Sequence, residues 1–300
     1  MINFVDVSII IINYNTKELT LNCIESIIDK TYDVTYEIIV VDNASIDGSI
    51  ELFSNDLRIK FIPSQVNLGF GKGNNLGVEH ANGKYVFLLN SDTILVNNAV
   101  KHFYDYFEDN LNGNIGVLGC VLSDIYYEEG MSYTYFKSIS RSIKLALNKF
   151  INKLFHISHK TSKMPLDEVF EVDVVLGADM FMPLILYRDL EGFDPDFFLY
   201  GEEVEFQKRI ANIGLKRLLI RKPKIIHLEG GSRDSKSKKL SYNTIYLLQK
   251  GNLIYIKKHY NKLYYLVFIL VQAITWYPWV LFDKRFSNEQ KKSLKRLLIG

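Results

Sequence analysis

The chain has 300 residues, of which 48% are hydrophobic and 23% are charged, a composition typical of a globular protein. This length is sufficient to bury a core without disulfide bonds, and it allows one large domain or a domain with an appendage. Cys23 and Cys120 are the only cysteines, which excludes a disulfide framework and a cysteine-based metal cluster. Because the first residues carry no basic and apolar leader, we expect a cytoplasmic protein.

The net charge of +2 conceals a strong asymmetry along the chain. Residues 1–215 carry 17 Lys/Arg and 30 Asp/Glu, a balance of −13, whereas residues 216–300 carry 19 and 4, a balance of +15. This asymmetry predicts that the C-terminal part faces an anionic partner, and a solvated basic tail is the alternative. No familiar nucleic-acid-binding module appears in the sequence, so we expect no nucleic-acid partner.

Strand and helix patterns alternate over the first 120 residues. Val7–Ile12 is a nearly continuous apolar run, typical of a strand buried on both faces, and a helix is predicted over Lys17–Lys30. Further strands are predicted over Glu37–Val41, Arg58–Ile62 and Tyr85–Leu89. This alternation predicts an α/β fold with a Rossmann-like, mostly parallel central sheet and helices on both faces.

Polar residues recur where the predicted strands end, which is where ligands of such sheets bind. They are Asn13-Tyr14-Asn15, Asp42-Asn43, the Gly-rich segment Asn67–Gly77 and Asn90-Ser91-Asp92. Asp42 could accept hydrogen bonds from a nucleobase or ribose, although an acid at this position is more often a turn former or a helix cap. The Gly-rich segment offers backbone amides to phosphates at a helix start, but it lacks the lysine of a P-loop.

Two further positions carry candidate metal ligands. Asp92, in the turn after a strand, could hold Mg²⁺ or Mn²⁺ against the phosphates of a nucleotide, and a capped turn is the alternative. His227 ends the strand-like KPKIIH, and a lone histidine at such a position is more often structural.

An acidic cluster, Glu202-Glu203-Val204-Glu205, follows the aromatic run GFDPDFFLY and begins a helix predicted to reach about Asn212. Three acids in a first turn complement the helix dipole, which is a sufficient structural reason for them. Carboxylates beside an apolar wall also suit a general base, so both interpretations stay open at this point.

The order of these motifs resembles glycosyltransferase family 2, whose members are inverting enzymes with the GT-A fold. The similarity is closest to bacterial rhamnosyltransferases of O-antigen, capsule and cell-wall polysaccharide synthesis. It runs from about Val7 to Ser232, through SIIIINYN, IIVVDNASIDGS, NLGFGKGNNLG, YVFLLNSDT, LGADMF, GFDPDFFLYGEEVEF and IIHLEGGS.

The resemblance implies a role for each candidate residue. The nucleotide and its diphosphate or sugar would contact Tyr14, Asn15, Asp42, Asn43, Asn67, Gly69, Asn74, Asn90 and Ser91. Asn90-Ser91-Asp92 stands where the family has Asp-x-Asp, so Asn90 leaves one charge fewer for Mg²⁺ or Mn²⁺. Asp92 and His227 would be the metal ligands. Glu203 matches the second acid of the family's Glu-Asp pair and would be the catalytic base, with Glu202 as the alternative.

The resemblance also implies the reaction, a transfer of a sugar from a nucleotide sugar to a hydroxyl of a lipid-linked or growing polysaccharide. The expected donor is dTDP-rhamnose, and UDP-hexose, UDP-GlcNAc and UDP-galactofuranose are the alternatives. A sugar-nucleotide pyrophosphorylase would need a Gly-rich, basic loop after its first strand, where this chain has NYNTKE. A non-catalytic nucleotide-sugar-binding protein would not need the carboxylate cluster.

Two segments predict a peripheral protein on the inner face of the bacterial plasma membrane. Residues 137–157 form a basic amphipathic pattern, and Leu263–Phe282 is uncharged and rich in Tyr and Trp. The length of Leu263–Phe282 just allows a membrane span, but Gln272, Thr275 and Pro278 interrupt it, so a helix in the plane of the membrane is preferred. The other alternative is that both segments pack on the catalytic domain or on a second copy of the chain, as in a homodimer. We therefore predict a GT-A domain over residues 1–232, with a helical insertion at about 136–160, and a helical C-terminal extension over residues 233–300.

Overall fold

The computed structural model describes residues 4–155, 164–228 and 240–299, and for residues 149–155 and 299 the backbone only. The chain divides into two compact units. The first comprises Met1–Tyr135, Pro165–Phe198 and Glu202–Lys236, and the second comprises Phe136–Met164, Leu199–Gly201 and Ser237–Gly300. The segment predicted as an insertion thus groups with the C-terminal segment, and the predicted boundary after residue 232 lies outside the described residues.

The bounds of the elements are as follows. The first unit contains β1 Val5–Asn13, α1 Lys17–Lys30, β2 Tyr36–Asp42, α2 Ser49–Ser54, β3 Lys60–Pro63, α3 Phe70–Glu79, β4 Gly83–Asn90, β5 Thr93–Leu95, α4 Ala99–Asp109, β6 Ile115–Cys120, β7 Tyr133–Thr134, β8 Val169–Glu171, β9 Val174–Val175, β10 Asp179–Pro183, α6 Leu184–Asp189, α7 Glu202–Asn212, β11 Lys216–Ile220 and β12 Ile225–His227. The second unit contains α5 Ile139–Phe155, α8 Tyr242–His259, α9 Lys262–Thr275, α10 Tyr277–Phe282 and α11 Asn288–Ile299.

The central sheet of the first unit has eight strands in the order β3-β2-β1-β4-β10-β6-β11-β8. Strands β3, β2, β1 and β4 are parallel neighbours, as are β6 and β11, whereas β10 and β8 run antiparallel to their neighbours. Ile9 and Ile11 of β1 belong to the core cluster that includes α1 and α4, and Ile10 belongs to the cluster that includes α3 and α7. The predicted mostly parallel sheet with helices on both faces is therefore confirmed.

His227 ends a strand, as the sequence predicts, but this strand, β12, lies outside the central sheet. The chain bends after β11 through Pro223, which has no N–H to offer a ladder. Strand β12 then pairs antiparallel with β5, and its His227 lies opposite Thr93. This small second sheet therefore places His227 opposite Thr93, the residue that follows Asp92.

The second unit is helical, as the predicted C-terminal extension required. Helix α9 contacts α5 through two hydrogen bonds: Ile139 N–H donates to the Tyr264 hydroxyl at 2.9 Å, and Gln272 Nε2 donates to Ser142 Oγ at 3.1 Å. The segment predicted as one stretch over Leu263–Phe282 is two helices, which meet at Trp276. Within the described residues, this segment alone is long and apolar enough to cross a membrane.

Candidate active site

Three parallel strands end side by side and bring their polar residues to one edge of the sheet. Asn13, the last residue of β1, pairs with Asp42 of β2, and β4 ends on the other side of β1 at Asn90. Tyr14 follows β1 and is 46% exposed, so its ring is available to a ligand at this edge. The predicted nucleotide residues of the three strand ends therefore lie together.

A fully buried amide, Asn13, organises this edge. Its Nδ2 donates to Asp42 Oδ2 at 2.6 Å and to Ser45 Oγ at 3.0 Å. Its Oδ1 accepts from the hydroxyls of Thr16 and Thr20 at 3.0 and 2.7 Å. The sequence prediction assigned no role to Asn13, because a strand-end motif does not reveal which of its polar residues points inward.

Asp42 is fully buried, and both its carboxylate oxygens accept hydrogen bonds within the protein. One oxygen accepts from Asn13, and the other accepts the backbone N–H of Ser45 at 2.8 Å. The hydroxyl of Ser45 in turn accepts the backbone N–H of the exposed Asn15 at 2.9 Å. Asp42 thus shapes the turn that presents Asn15 and Tyr14, and its predicted direct contact with a nucleotide remains a prediction.

The Gly-rich segment is tied to this edge and to the loop before α7. Asn43 Nδ2 donates to the carbonyl of Gly69 at 2.9 Å, and Asn67 Oδ1 accepts the Gly69 N–H at 2.9 Å. Gly69 has φ +81°, and a Cβ there would lie 2.0 Å from the carbonyl oxygen of Phe198. Asn74 is also buried and donates to the carbonyl one turn earlier in α3. Gly69 is therefore required by backbone geometry as well as by any phosphate contact.

The two predicted metal ligands meet in the structure. His227 Nε2 lies 3.2 Å from Asp92 Oδ1 and 3.5 Å from Asn90 Nδ2. The side chains of Asp92 and His227 are about 15% exposed, so both are mostly buried but still reach the surface. Ser91, between the two turn residues, places its hydroxyl 3.2 Å from that of Thr16 at the start of α1.

This donor set fits a divalent cation that completes its coordination with phosphate oxygens and water. Carboxylate oxygen is a ligand that both Mg²⁺ and Mn²⁺ prefer, and Mg²⁺ is usually held by one or two carboxylates together with phosphates and water. The imidazole in contact with this carboxylate is a further ligand open to a transition metal such as Mn²⁺. No group of three or more His, Cys, Asp or Glu side chains suited to a metal occurs among the residues that the structure describes. The arrangement therefore suits a metal that arrives with a nucleotide diphosphate.

The acidic cluster begins α7 as predicted, and its members differ in burial. Glu202 is 2% exposed, and its Cβ and Cγ lie 3.6 Å from the position that a Cβ would occupy at Gly71. Glu203 is partly exposed. Of the two candidate bases, Glu203 is therefore the more exposed one.

A short chain of contacts connects Glu203 to the predicted metal ligands. The Cβ of Glu203 lies 3.8 Å from the position of a Cβ at Gly177. The next residue, Ala178, accepts the backbone N–H of Asn90 at 3.0 Å through its carbonyl. The loop between β9 and β10 thus separates the acidic cluster from the turn that carries Asp92.

Two supports of the loop before α7 were not found from the sequence. Glu205 holds Arg209 in a bidentate ion pair with distances of 2.8 to 3.0 Å, and Arg209 also donates to the carbonyls of Leu190 and Gly192. Glu205 is 3% exposed, so it is a structural acid rather than a third candidate base. An (i, i+4) acid–arginine spacing on α7 was the available signal.

The second support is Asn75, which connects α3 to the same loop. Its Oδ1 accepts the Phe193 N–H at 2.9 Å and the Tyr187 hydroxyl at 2.6 Å, and its Nδ2 donates to the Phe193 carbonyl at 2.8 Å. In the aromatic run GFDPDFFLY, Phe197 is buried in the core and Phe198 is 42% exposed. Phe198 is thus the phenylalanine of this run that a ligand could contact.

A buried acid in β10 was also missed. Asp179 is completely buried, and its Oδ2 accepts the backbone N–H of Cys120 at 2.6 Å. Its Oδ1 has no hydrogen-bond partner among the described residues. Burial raises the pKa of Asp179 to about 7, against the opposing effect of the Cys120 hydrogen bonds and of the His227 charge. An acid inside the apolar LGADMF strand is the signal that sequence reading passed over.

Comparisons with known proteins agree with this geometry. The model of the family "Glycosyl transferase family 2" matches residues 8–171. The glycosyltransferase GlyG of Streptococcus pneumoniae is 29% identical over 107 residues, covering 34% of this chain and 35% of that protein. Chondroitin synthase of Escherichia coli is 26% identical over 249 residues, covering 73% of this chain and 34% of that protein. These matches thus span about a third of each relative's length.

Solved structures share the fold at low sequence identity. GalNAc-T7 with UDP, GalNAc and Mn²⁺ aligns over 99% of this chain and 55% of its own, with a TM-score of 0.62 and 16% identity. TarS of S. aureus, residues 1–349, in complex with UDP aligns over 95% of this chain and 77% of its own, with a TM-score of 0.54 and 14% identity. Since the family model covers more than half of the chain, from β1 to β8, the chain belongs to glycosyl transferase family 2.

Proposed function

We propose that the chain is a metal-dependent, inverting glycosyltransferase that moves a sugar from a nucleotide sugar to an acceptor hydroxyl. The observation that carries this proposal is the contact of Asp92 with His227 at 3.2 Å, at the ligand-binding edge of the sheet. Glu203 is the second residue of α7, one loop away, and is partly exposed. A metal position and a base are the two groups that this transfer requires.

Asp92 and His227 would hold the cation, with Asn90 beside them. When bound, Mg²⁺ or Mn²⁺ supplies positive charge for the diphosphate leaving group. The amides of the Gly-rich segment and the exposed Tyr14 would orient the nucleotide against this edge. GalNAc-T7 binds Mn²⁺ together with UDP in the same fold, which supports a divalent metal for this chain.

In the proposed reaction, the oxygen of the acceptor hydroxyl attacks the anomeric carbon while Glu203 accepts the proton of that hydroxyl. The bond from that carbon to the diphosphate oxygen breaks in the same step, so the anomeric configuration inverts. The burial of Glu202 against Gly71 supports its role as a support for α7 rather than as the base. The phenyl ring of Phe198, 42% exposed, would cover the acceptor side of the site.

For the donor, dTDP-rhamnose remains our first expectation, carried by the sequence resemblance. UDP-hexose, UDP-GlcNAc and UDP-galactofuranose are the alternatives, and the UDP complexes of GalNAc-T7 and TarS make a uridine donor a direct competitor. All of these donors share a pyrimidine nucleoside diphosphate, which is the part that the strand ends at Asn13, Asp42 and Asn90 would face.

The test is a panel of these nucleotide sugars with the purified chain, with Mg²⁺, Mn²⁺ or EDTA, scored by release of nucleoside diphosphate. We expect release with one donor class, its loss in EDTA and its recovery when metal is restored. The matched control is Glu203→Gln, which should bind the same nucleotide with unchanged affinity while releasing little product. Nucleotide binding by the wild type with no release, with or without saccharide acceptors, would instead indicate a binding protein.

The acceptor is proposed to be a lipid-linked saccharide at the inner face of the plasma membrane. On α9 and α10 a row of exposed apolar side chains recurs at helical spacing: Leu263, Leu266, Val267, Leu270, Ile274, Leu281 and Phe282. Exposed basic residues flank this row, with Lys262 at one end and Lys284 and Arg285 at the other. An apolar row bordered by cations suits an anionic lipid surface better than water.

Flotation with liposomes containing anionic lipid tests the membrane proposal. We expect the wild type to float at low salt and the double variant Leu270→Glu/Ile274→Glu to stay at the bottom. Leu57→Glu is the matched control, because Leu57 is 99% exposed in the first unit. A wild type that does not float, and that forms a dimer which Leu270→Glu/Ile274→Glu dissociates, would assign the apolar row to a second copy of the chain.

A further inference from the structure

A three-residue strap, Leu199–Gly201, leads directly into the helix that carries the candidate base. It belongs to the second unit, although Glu202 and the rest of α7 belong to the first. Tyr200 and Gly201 both have left-handed backbones, with φ of +70° and +102°. A tyrosine seldom adopts this conformation without support, because its Cβ crowds the backbone. Something must therefore hold the strap in place.

Helix α8 of the second unit supplies a close contact to the strap. Gly251 lies in the middle of α8, where glycine is about 1 kcal/mol less favourable than alanine. A Cβ at Gly251 would lie 2.3 Å from the carbonyl oxygen of Tyr200 and 3.3 Å from its carbonyl carbon. Since these are backbone atoms, no rotamer change could relieve the clash, so the absence of a side chain at Gly251 is what lets the strap adopt its course.

The same device occurs two residues earlier on the loop, within the first unit. A Cβ at Gly69 would lie 2.0 Å from the carbonyl oxygen of Phe198, which also accepts the Phe70 N–H at 3.0 Å. Two backbone carbonyls of the segment before α7 thus lie against glycines. The carbonyl of Phe198 lies against Gly69, and the carbonyl of Tyr200 lies against Gly251. Covalent continuity then fixes where α7 begins, and with it the position of Glu203.

We propose that Gly251 is a positioning residue for Glu203, acting through the strap Leu199–Gly201. This inference rests on the proposed role of Glu203 as base. A base displaced by about 1 Å can lose on the order of a hundred-fold in rate, because proton transfer requires aligned atoms. Nucleotide binding, which uses strand ends remote in sequence from the strap, should not change.

The experiment is Gly251→Ala, compared with Lys250→Ala, whose side chain is exposed on the preceding residue. We expect Gly251→Ala to lower kcat about ten- to a hundred-fold, with donor KM and nucleotide Kd within about two-fold of the wild type. Helix propensity alone would make alanine at this position neutral or stabilising. A folded Gly251→Ala enzyme with wild-type kcat would therefore overturn the proposal.

A readout that does not depend on activity separates this inference from the proposed function. Hydrogen exchange measured by mass spectrometry should become faster in peptides covering residues 199–205 of Gly251→Ala, and unchanged in Lys250→Ala. If Gly251→Ala shows faster exchange but the wild type has no transferase activity, the inference that Gly251 holds the strap stands and the proposed function is rejected. If the wild type is active but Gly251→Ala shows unchanged exchange, only the inference about Gly251 and the strap is rejected. If Gly251→Ala does not fold, Gly201→Ala, which disturbs the strap at φ +102°, carries the same expectations.

Discussion

The two sides of the candidate site are built in opposite ways. On the nucleotide side, Asn13, Asp42 and Asn43 are at most 2% exposed and take part in hydrogen bonds within the protein. On the metal and base side, Asp92, His227 and Glu203 are partly exposed. Burial of the nucleotide-side groups costs desolvation free energy, and their hydrogen bonds within the protein offset that cost. The partly exposed groups of the other side remain accessible to a substrate. Variants on the two sides should therefore fail for different reasons.

The largest effect is expected from Asp92→Ala, which should abolish metal-dependent transfer and weaken binding of the nucleotide sugar. Asp92 is the only acid of its turn, and its carboxylate is in contact with His227. His227→Ala should give a milder loss, since water can replace an imidazole ligand. Titration with Mn²⁺ and steady-state kinetics measure both effects. Asp109→Ala, an exposed acid at the end of α4, is the control, and an Asp92→Ala enzyme with wild-type metal dependence contradicts the assignment.

Next in size is Glu203→Gln, which should lose about a hundred-fold in kcat with nearly unchanged donor binding. Glu202→Gln should lose less, because Glu202 is buried beside Gly71 and not presented to an acceptor. Single-turnover rates and nucleotide titrations of the two variants decide between them. If the order of the two is reversed, the base is Glu202 and the site itself stands.

The buried side should respond in stability. Asp42→Ala removes the acceptor of the Asn13 amide and of the Ser45 N–H, so we expect a loss of about 2–3 kcal/mol in the free energy of unfolding. Should Asp42→Ala prove as stable as the wild type but fail to bind nucleotide, Asp42 contacts the ligand directly and the two sides are less distinct than their burial indicates.

The smallest effect concerns the pH dependence of stability. The pKa of Asp179 rises from 3.8 to about 7 on burial, so the folded protein retains a proton that the unfolded chain releases. Stability should therefore fall as the pH rises from about 4 to about 7, and level off above. Between pH 5 and pH 7 this loss amounts to roughly 2 kcal/mol. Asp179→Asn should lack this part of the pH dependence in urea unfolding, and an identical profile in wild type and variant would contradict it.

The nucleotide half of the fold could be predicted from the sequence, because continuous apolar runs such as Val7–Ile12 have few other structural solutions. The acidic start of α7 was also predicted at Glu202. The hydrogen-bonding roles of Asn13 and Asn75 could not be predicted, since each depends on partners brought near by folding. The membership of β12 in a separate sheet was likewise missed, because three residues carry no signal of which strand they will pair with.

That small sheet of β5 and β12 also bears on how the protein folds. Asn90 and His227 are 137 residues apart in sequence, and only the antiparallel register of Thr93 with His227 brings them within 3.5 Å. Contacts closing such a long loop have a high entropic cost and form late. Strands β1, β2 and β3 are neighbours both in sequence and in the sheet, so they can assemble from local βαβ contacts before that closure. If Asp92 and His227 hold the proposed divalent metal, its affinity should therefore appear late in refolding, after β1, β2 and β3 are protected from hydrogen exchange, and metal binding would report the completion of the fold.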